Sequence, residues 1–318
     1  MLLKAIKRIS GCTAFLIILS LLLIISSYIF SPKSNQKEAG MENVTANGIL
    51  GEKDNTIDVL VLGDSEAYAT ISPMQIWQEH GFTSYVCSSS AQYLSFTEVL
   101  LKRTFQNQNP KVVLLEANAI YRETSFMNSL AINAENLISV FKYHNRWKTL
   151  RINDFYDSVE YTWTDDYKGF NYSKTVLFTN NTNYMIETDE IAEIQLINEN
   201  SVKSIAEFCK EHGAEFFLFS APSAKNWTYE KHNGIQNLAD KYQIEYIDLN
   251  LLSDEVPIDW QKDTKDQGDH LNYYGAVKAT KYIGEYLKSN YELPDHRTDN
   301  EYSSWNEALE RYLRTVEE

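Results

Sequence analysis

Residues 57–73 read IDVLVLGDSEAYATISP, and they determine how the rest of the chain is interpreted. The segment Ile57–Leu62 is predominantly apolar, which is typical of a strand buried on both faces of a parallel sheet. It ends in Gly63-Asp64-Ser65, the residue types with which a chain commonly leaves a strand. Ser65 is therefore either a turn residue or a nucleophile, and only residues far away in the chain can decide between the two.

Length and composition narrow the class of protein. The chain has 318 residues, of which 43% are hydrophobic, so it can bury one large domain or two small ones. Its formal net charge of -15 argues against binding to nucleic acid, because affinity for phosphate backbones comes mainly from Lys and Arg. We predict no nucleic-acid partner.

The N-terminus carries an uncharged stretch, residues 11–30, about as long as the roughly 20 residues needed to cross a bilayer as a helix. A cleaved signal peptide would have a shorter apolar core and small residues at its cleavage site. A lipoprotein signal would place the apolar run before Cys12, whereas here the run follows it. We predict a retained single-pass anchor in the cell membrane, with the basic residues 1–10 in the cytoplasm and the C-terminal domain extracellular.

Cysteine and histidine spacing offers no metal site. Cys12 lies in the predicted anchor, and Cys87 and Cys209 are too far apart in sequence to form a CxxC-type motif. The sequence therefore predicts neither a metal nor another cofactor.

Beyond the anchor, residues 31–56 are polar and lack periodicity, so we predict a tether. Apolar strands then alternate with helical stretches over residues 57–291, and an acidic tail, residues 292–318, has the pattern of a surface helix. This alternation predicts a three-layer α/β sandwich with a central, mostly parallel sheet. The predicted strands are 57–62, 83–86, 111–117, 214–219 and 245–249, and the predicted helices are 91–106, 190–212, 229–242 and 273–288.

One segment, about residues 123–189, interrupts the alternation and is rich in Tyr, Trp, Asn and Asp. An ordinary packed insertion is the default interpretation. The alternative is a lid that faces the substrate, because aromatic faces flanked by Asn and Asp suit sugar rings.

The distant residues that bear on Ser65 are 266–272, DQGDHLN, directly before the last predicted helix of the domain. A nucleophilic serine needs a base, which histidine can supply, and the histidine in turn needs a carboxylate to orient it. Of six histidines, only His270 has acidic residues close around it in a loop between elements. Capping of the following helix explains Asn272 but does not require His270.

Gly63-Asp64-Ser65 and His270-Leu271-Asn272 together resemble the first and last motifs of the SGNH, or GDSL-like, hydrolase superfamily. Within it the chain looks most like the membrane-anchored extracytoplasmic branch, which includes D-alanine lipoteichoic acid transfer proteins and alginate-type O-acetyltransferases. The resemblance covers about residues 58–291, with the insertion unmatched. It implies that Ser65 is the nucleophile and His270 the base.

The chain departs from the superfamily pattern in its acid. The aspartate usually lies three residues before the histidine, and here Gln267 holds that position. Either Asp266 or Asp269 replaces it, or the site works as a Ser-His dyad. We favour Asp266, because the side chain of the adjacent Asp269 would tend to project away from the ring.

A second departure concerns the oxyanion hole. The glycine of the second motif is replaced by Cys87-Ser88-Ser89-Ser90, but this motif acts through a backbone N–H, which Ser89 or Ser90 can supply. The resemblance implies that Asn118, after the third strand, is another donor, alongside the Ser65 N–H. Asn118 taken alone is equally well explained as a turn residue. No base is evident beside Cys87, so we predict that it is a buried packing residue.

The predicted function is serine-dependent acyl transfer or ester hydrolysis outside the membrane. The resemblance implies an acetyl group, a cell-surface polysaccharide as acceptor and a membrane-bound O-acyltransferase as partner. Two alternatives remain: a simple esterase, and a non-catalytic glycan-binding or assembly protein that keeps the fold.

Overall fold

A parallel sheet forms the centre of the molecule. The computed structural model describes residues 2–317, in which five strands are ordered β2-β1-β3-β4-β5, every neighbouring pair being parallel. Each predicted strand overlaps an observed one. The strands are β1 Val59–Gly63, β2 Ser84–Ser88, β3 Val112–Glu116, β4 Glu215–Ser220 and β5 Glu245–Asp248.

Helices connect and cover these strands, and the predicted α/β architecture is confirmed. The predicted helix 229–242 agrees with the observed one at both ends, because Thr228 caps its first turn and Gln243 ends it with φ 56°. The helices are α1 Leu2–Phe30, α2 Val44–Asn47, α3 Ser65–Thr70, α4 Pro73–His80, α5 Leu94–Thr104, α6 Phe126–Leu137, α7 Ser139–Tyr143, α8 Leu196–Glu211, α9 Tyr229–Tyr242, α10 Tyr273–Asn290 and α11 Ser303–Glu317.

The apolar strands explain the three layers. Successive side chains of a strand point to opposite faces, so in β1 Leu60 and Leu62 enter one core while Val59 and Val61 enter the other. The first core includes buried residues of α5, α8 and α9, and the second includes buried residues of α10. A sheet buried on both faces needs continuously apolar strands, and this is the pattern seen in the sequence.

The strand order indicates which edge of the sheet can bind a ligand. The chain runs from β1 outward to β2 and then returns to β3 on the other side of β1, so the order reverses between β1 and β3. In open α/β sheets, ligands bind at the carboxyl ends of the strands at such a point. Ser65 follows β1 and Asn118 follows β3, so both lie at this edge.

Residues 31–56, predicted to be a tether, are instead packed against the domain. Buried Asn35 donates to the carbonyls of Asn47 at 3.1 Å and Trp163 at 2.6 Å, and Glu52 pairs with Lys168 at 2.7 Å in the interior. The prediction was wrong because the polar residues of this segment find buried partners in the insertion, more than a hundred positions away.

The insertion has two parts. Its first part contains α6, α7 and two short 3-10 helices, His144–Lys148 and Ile152–Phe155. Residues 156–195, all of them described, form neither helix nor strand. Within this stretch we name residues 168–179 the strap, because its backbone is bonded to several distant elements.

The two ends of the chain also differ in their surroundings. In α1, residues 6–30 include an 18-residue window with a mean hydropathy of 2.5 and no buried residue, so this helix is apolar and long enough to cross a membrane. At the other end, α11 packs on α4 through buried Trp305, whose ring lies 5.5 Å from that of Trp77.

Candidate active site

Ser65 begins α3 immediately after β1. Gly63 between them has φ 148°, and a Cβ there would lie 2.7 Å from the Glu116 Cβ and 2.8 Å from the Ala67 Cβ, so only glycine fits. Asp64 caps the helix by accepting from the Glu66 N–H at 3.1 Å, and its other oxygen pairs with Arg122 at 2.9 Å. The sharp turn therefore places Ser65 at the edge of the sheet. The Asp64 carboxylate stabilises this turn through the Glu66 N–H.

Asp266 holds His270 at two points. Its Oδ1 accepts from the His270 backbone N–H at 2.6 Å, and its Oδ2 lies 2.6 Å from the ring Nδ1. A carboxylate at Nδ1 fixes the proton on that nitrogen and leaves Nε2 as the basic atom. Within residues 2–317, His270 Nε2 is shielded from solvent and has no hydrogen-bond partner.

Asp269 is engaged elsewhere. Its carboxylate accepts from Lys225 at 2.8 Å and from the Asn226 amide, and its Oδ1 is 3.5 Å from His270 Nδ1. Burial works to raise the Asp269 pKa, but the hydrogen bond and the charge of Lys225 oppose it, and the pKa is lowered. Of the two candidate acids, Asp266 is thus the one bonded to His270.

The Ser65 turn and the His270 loop meet through Glu66. Glu66, Asp269 and His270 each place one polar side-chain atom within 4.8 Å of the other two. The Tyr68 hydroxyl lies close to the side chains of Ser65 and Ser90, and Lys265 lies over the Tyr68 ring with its ammonium 5.7 Å from the ring centre. Among the described residues, no hydrogen bond joins Ser65 to His270.

Such a gap between nucleophile and base is common in structures without substrate, since catalytic hydrogen bonds often tighten only when substrate binds. The arrangement thus provides a base with an available nitrogen and a serine on the neighbouring turn. It can support proton transfer from Ser65 once the two side chains approach each other.

Three buried carboxyl groups lie beneath this edge, Asp64, Glu66 and Glu116, and the sequence motifs included only the first of them. Burial, with the nearby carboxyl groups, raises the pKa values of Glu66 and Glu116 well above the usual range. Glu116 accepts from the backbone N–H groups of Asn118 at 3.0 Å and Ala221 at 3.3 Å, so it ties β3 to the end of β4. The sequence signal for Glu116 was an acidic residue at the end of an otherwise apolar strand.

The two predicted oxyanion-hole residues flank Ser65 on the adjacent strands. The Asn118 Oδ1 accepts from Lys231 at 3.2 Å, which leaves the amide NH₂ as a donor. Ser89 follows β2, and its hydroxyl donates to Gln92 at 2.8 Å. The group of Ser89 that can donate to an oxyanion is therefore its backbone N–H. Cys87 is buried, and burial raises the pKa of its thiol to about 12, which agrees with the predicted packing role.

A cavity of about 370 Å³ opens beside Tyr68 and Ser88–Ser90. The insertion supplies Tyr167, Phe170, Asn171 and Tyr172 to its wall, and residues 31–56 supply Asn43 and Thr45. The buried Ser88 hydroxyl, which borders this cavity, has no hydrogen-bond partner among the described residues. Aromatic faces, amides and hydroxyls therefore share one concave surface next to the Ser65 turn.

Glu66, Asp269 and His270 are also the described residues whose donor atoms are close enough to share a cation. One contact opposes that use. Asp269 already pairs with the Lys225 ammonium, and a cation bound there would lie beside that positive charge.

The chain is similar to several solved structures, although no family model and no curated protein matches it. One is a GDSL-like lipase from Bacteroides thetaiotaomicron, with 15% identity and a TM-score of 0.35, covering 73% of this chain and 88% of that one. Another is an acetyl xylan esterase, with 11% identity and a TM-score of 0.37, covering 73% of this chain and 98% of that one. With identities and scores this low, we assign the fold from the strand order itself.

Proposed function

We propose that this chain is an SGNH-type serine enzyme that transfers or hydrolyses acyl esters. The observation that carries the proposal is the Asp266–His270 pair on the loop that Glu66 joins to the Ser65 turn, in which His270 Nε2 is buried and has no partner among the described residues. A hydrogen-bonded carboxylate and an available imidazole nitrogen are what a serine nucleophile requires.

The proposed reaction has two steps. Ser65 Oγ attacks the ester carbonyl carbon and its proton passes to His270 Nε2, which then protonates the departing alcohol as the C–O bond breaks. Water or a second hydroxyl next attacks the acyl-serine, giving its proton to Nε2, and Ser65 is regenerated. The N–H groups of Ser65 and Ser89 and the Asn118 amide would stabilise the negative charge on the carbonyl oxygen in both steps.

For the substrate, we propose an acetyl ester and a cell-surface polysaccharide. The support is the cavity beside Tyr68, whose aromatic, amide and hydroxyl lining suits a sugar, together with the resemblance to the membrane-anchored branch of the superfamily. On the same resemblance, we propose a membrane-bound O-acyltransferase as the donor-side partner.

For the location, we propose that α1 spans the cell membrane and the domain faces outward. The apolar helix and its preceding basic residues support this orientation. A reporter fused after Glu318 should be accessible from outside intact cells. Recovery of a shortened form from the medium would contradict the anchor.

The test of the chemistry is mass analysis of the intact chain after brief incubation with p-nitrophenyl acetate. We expect one added acetyl group, mapped to the peptide that contains Ser65, and none in Ser65→Ala. The control variant is Ser158→Ala, which removes an exposed serine from the insertion and should acylate like the wild type. A folded Ser65→Ala protein that acylates at the wild-type rate would falsify the assignment. Adding a polysaccharide acceptor then separates transfer from hydrolysis, because only transfer moves the acetyl group to the sugar.

A second function is favoured by one observation, the lack of a hydrogen bond between Ser65 and His270 among the described residues. A protein that only binds glycan would keep the cavity while the serine and histidine stay apart. It would bind polysaccharide equally well with or without Ser65 and would gain no acetyl group in the mass experiment.

A further inference from the structure

The first half of the insertion exposes a run of large apolar side chains. None of the residues of α6 is buried. Its large apolar side chains face outward, with Phe126 71% exposed and Leu137 82% exposed. Exposed apolar surface of this extent on one segment marks an interaction site in most proteins. We name these side chains the apolar patch: Phe126, Met127, Leu130, Leu137, Phe141, Trp147, Ile152, Phe155 and Tyr156.

This patch is fixed to the C-terminal end of α1. The Ser27 hydroxyl accepts from the Val140 N–H at 3.3 Å, and the Tyr28 hydroxyl donates to the Asp157 carbonyl at 2.8 Å. Arg146 donates to the Phe30 carbonyl at 2.6 Å, at the last residue of the helix. The segment that carries the patch is therefore held against the last turn of the predicted anchor.

The length of α1 places this contact at the surface of a bilayer. Its uncharged part, residues 11–30, has 20 residues. At about 1.5 Å per residue it is roughly 30 Å long, which matches the thickness of about 30 Å of the hydrocarbon core. The last turn of α1 therefore reaches the headgroup region, and the elements bonded to that turn lie at the same level.

The charge of this segment complements an anionic surface. Residues 142–151 contain four basic side chains, in a chain whose net charge is -15. Lys142 pairs with Glu42 and Arg146 with Asp154, so the basic side chains that face solvent are Lys148 and Arg151. Each basic residue near an anionic membrane surface contributes about 1 kcal/mol of attraction. Trp147, at 64% exposure, and Tyr156 are of the types enriched where hydrocarbon meets water.

We propose that residues 126–156 lie in the headgroup layer of the bilayer that α1 spans and bind anionic phospholipid there. The apolar patch enters the upper acyl region, and the basic residues remain among the headgroups. The domain is then held in one orientation on the membrane. The inference rests on the proposed anchoring of α1 but not on the proposed chemistry.

The test uses the full chain reconstituted in vesicles of phosphatidylglycerol and phosphatidylcholine, with an environment-sensitive fluorophore on single accessible cysteines. Cys87 and Cys209 are buried, so native Cys12, exposed on α1, reports on insertion of the anchor. In a Cys12→Ser background, Leu137→Cys and Ile152→Cys report on the patch. Leu251→Cys is the matched control, since Leu251 is exposed and apolar but lies after β5, outside the insertion.

We expect lipids with a nitroxide near the headgroup to quench most emission from positions 137 and 152 and little from position 251. Lys148→Gln combined with Arg151→Gln should weaken the quenching in phosphatidylglycerol vesicles. Quenching at Cys12 without quenching at 137 and 152 would overturn the proposal while leaving the anchor intact. If these labels stay in water in vesicles but are shielded in native membranes, a protein partner covers the patch instead of lipid. No quenching at any position, Cys12 included, would overturn the anchor and this inference together, without bearing on acylation of Ser65.

Discussion

Asp266 binds the backbone N–H and the ring Nδ1 of His270 with separate oxygens, each at 2.6 Å. One carboxylate thus fixes both the position and the proton of the imidazole. Asp269, although adjacent in sequence, is held by Lys225 and Asn226. The position three residues before the histidine, occupied by an acid in the superfamily, is Gln267 here, and an acid one residue earlier makes the contact.

Asp266→Asn and Asp269→Asn should therefore have unequal effects on ester hydrolysis. We expect Asp266→Asn to lower kcat/KM by roughly 10²–10⁴-fold, the usual contribution of a positioned general base. Asp269→Asn should lower it much less, because Asp269 lies farther from Nδ1. Thermal unfolding of both variants provides the control for folding. Equal losses would show that both acids orient His270, and no loss in either would support a dyad.

Glu66→Gln should change how stability depends on pH. Burial, with the charges of Glu116 and Asp64, raises the Glu66 pKa well above its usual value of 4.5. Between the unfolded and folded pKa values the native state binds more protons, so the wild type loses stability as pH rises through this window. Glutamine is neutral, can still accept from Asn226, and should lessen this loss.

The measurement is the free energy of unfolding at pH 5 and pH 8 for the wild type and Glu66→Gln. The control is Glu310→Gln, which removes an exposed carboxylate on α11 and should leave the pH dependence unchanged. If Glu66→Gln and the wild type lose the same stability over this interval, Glu66 is not a source of the effect.

Lys168→Met should destabilise the packing of residues 31–56 on the domain. The Lys168–Glu52 pair is buried, with 2% and 3% of the two side chains exposed. Removing one partner of a buried ion pair costs about 3–5 kcal/mol, because the other charge stays buried without compensation. Denaturant unfolding measures the cost. The double variant Lys168→Met/Glu52→Gln should recover part of it, and a double variant less stable than Lys168→Met would contradict this explanation.

Chelators should leave ester hydrolysis unchanged, although Glu66, Asp269 and His270 lie close enough to share a cation. The proposed reaction uses serine and imidazole, and Lys225 already neutralises Asp269. Activity measured after dialysis against EDTA is the test. A loss that zinc restores would indicate that the three residues act as a metal site.

The elements that could be predicted from the sequence are those set by local pattern. The strands appear as apolar runs because both faces of the sheet are buried, and α9 has its cap at Thr228. Ser65 and His270 could be predicted as site residues because Ser65 follows a strand and His270 precedes a helix of this kind.

The rest depends on partners far away in the chain. The polar composition of residues 31–56 predicts a tether. In the structure, Trp163 and Lys168 of the insertion instead bind the buried side chains of Asn35 and Glu52. The burial of Glu116 was indicated by its place at the end of an apolar strand, whereas no local pattern in the sequence indicates that Glu66 is buried. No periodicity predicts the path of residues 156–195, since backbone groups of other segments hold them.

In the strap, the backbone and the exposed side chains have different roles. The buried Lys168 side chain attaches the strap to Glu52. Near the candidate site the backbone carries the attachments: the Asn171 N–H donates to the Tyr68 carbonyl at 2.8 Å, the Leu177 N–H donates to the Thr264 carbonyl at 3.1 Å, and the Leu177 carbonyl accepts from the Gln267 N–H at 2.8 Å. The Leu177 side chain is 51% exposed and takes no part in these bonds. Exposed side chains of the strap can therefore be exchanged while its peptide groups continue to join the Ser65 turn to the His270 loop. Since Asn171 and Tyr172 of the strap also line the neighbouring cavity, the segment is suited to changing the cavity wall without rebuilding the sheet.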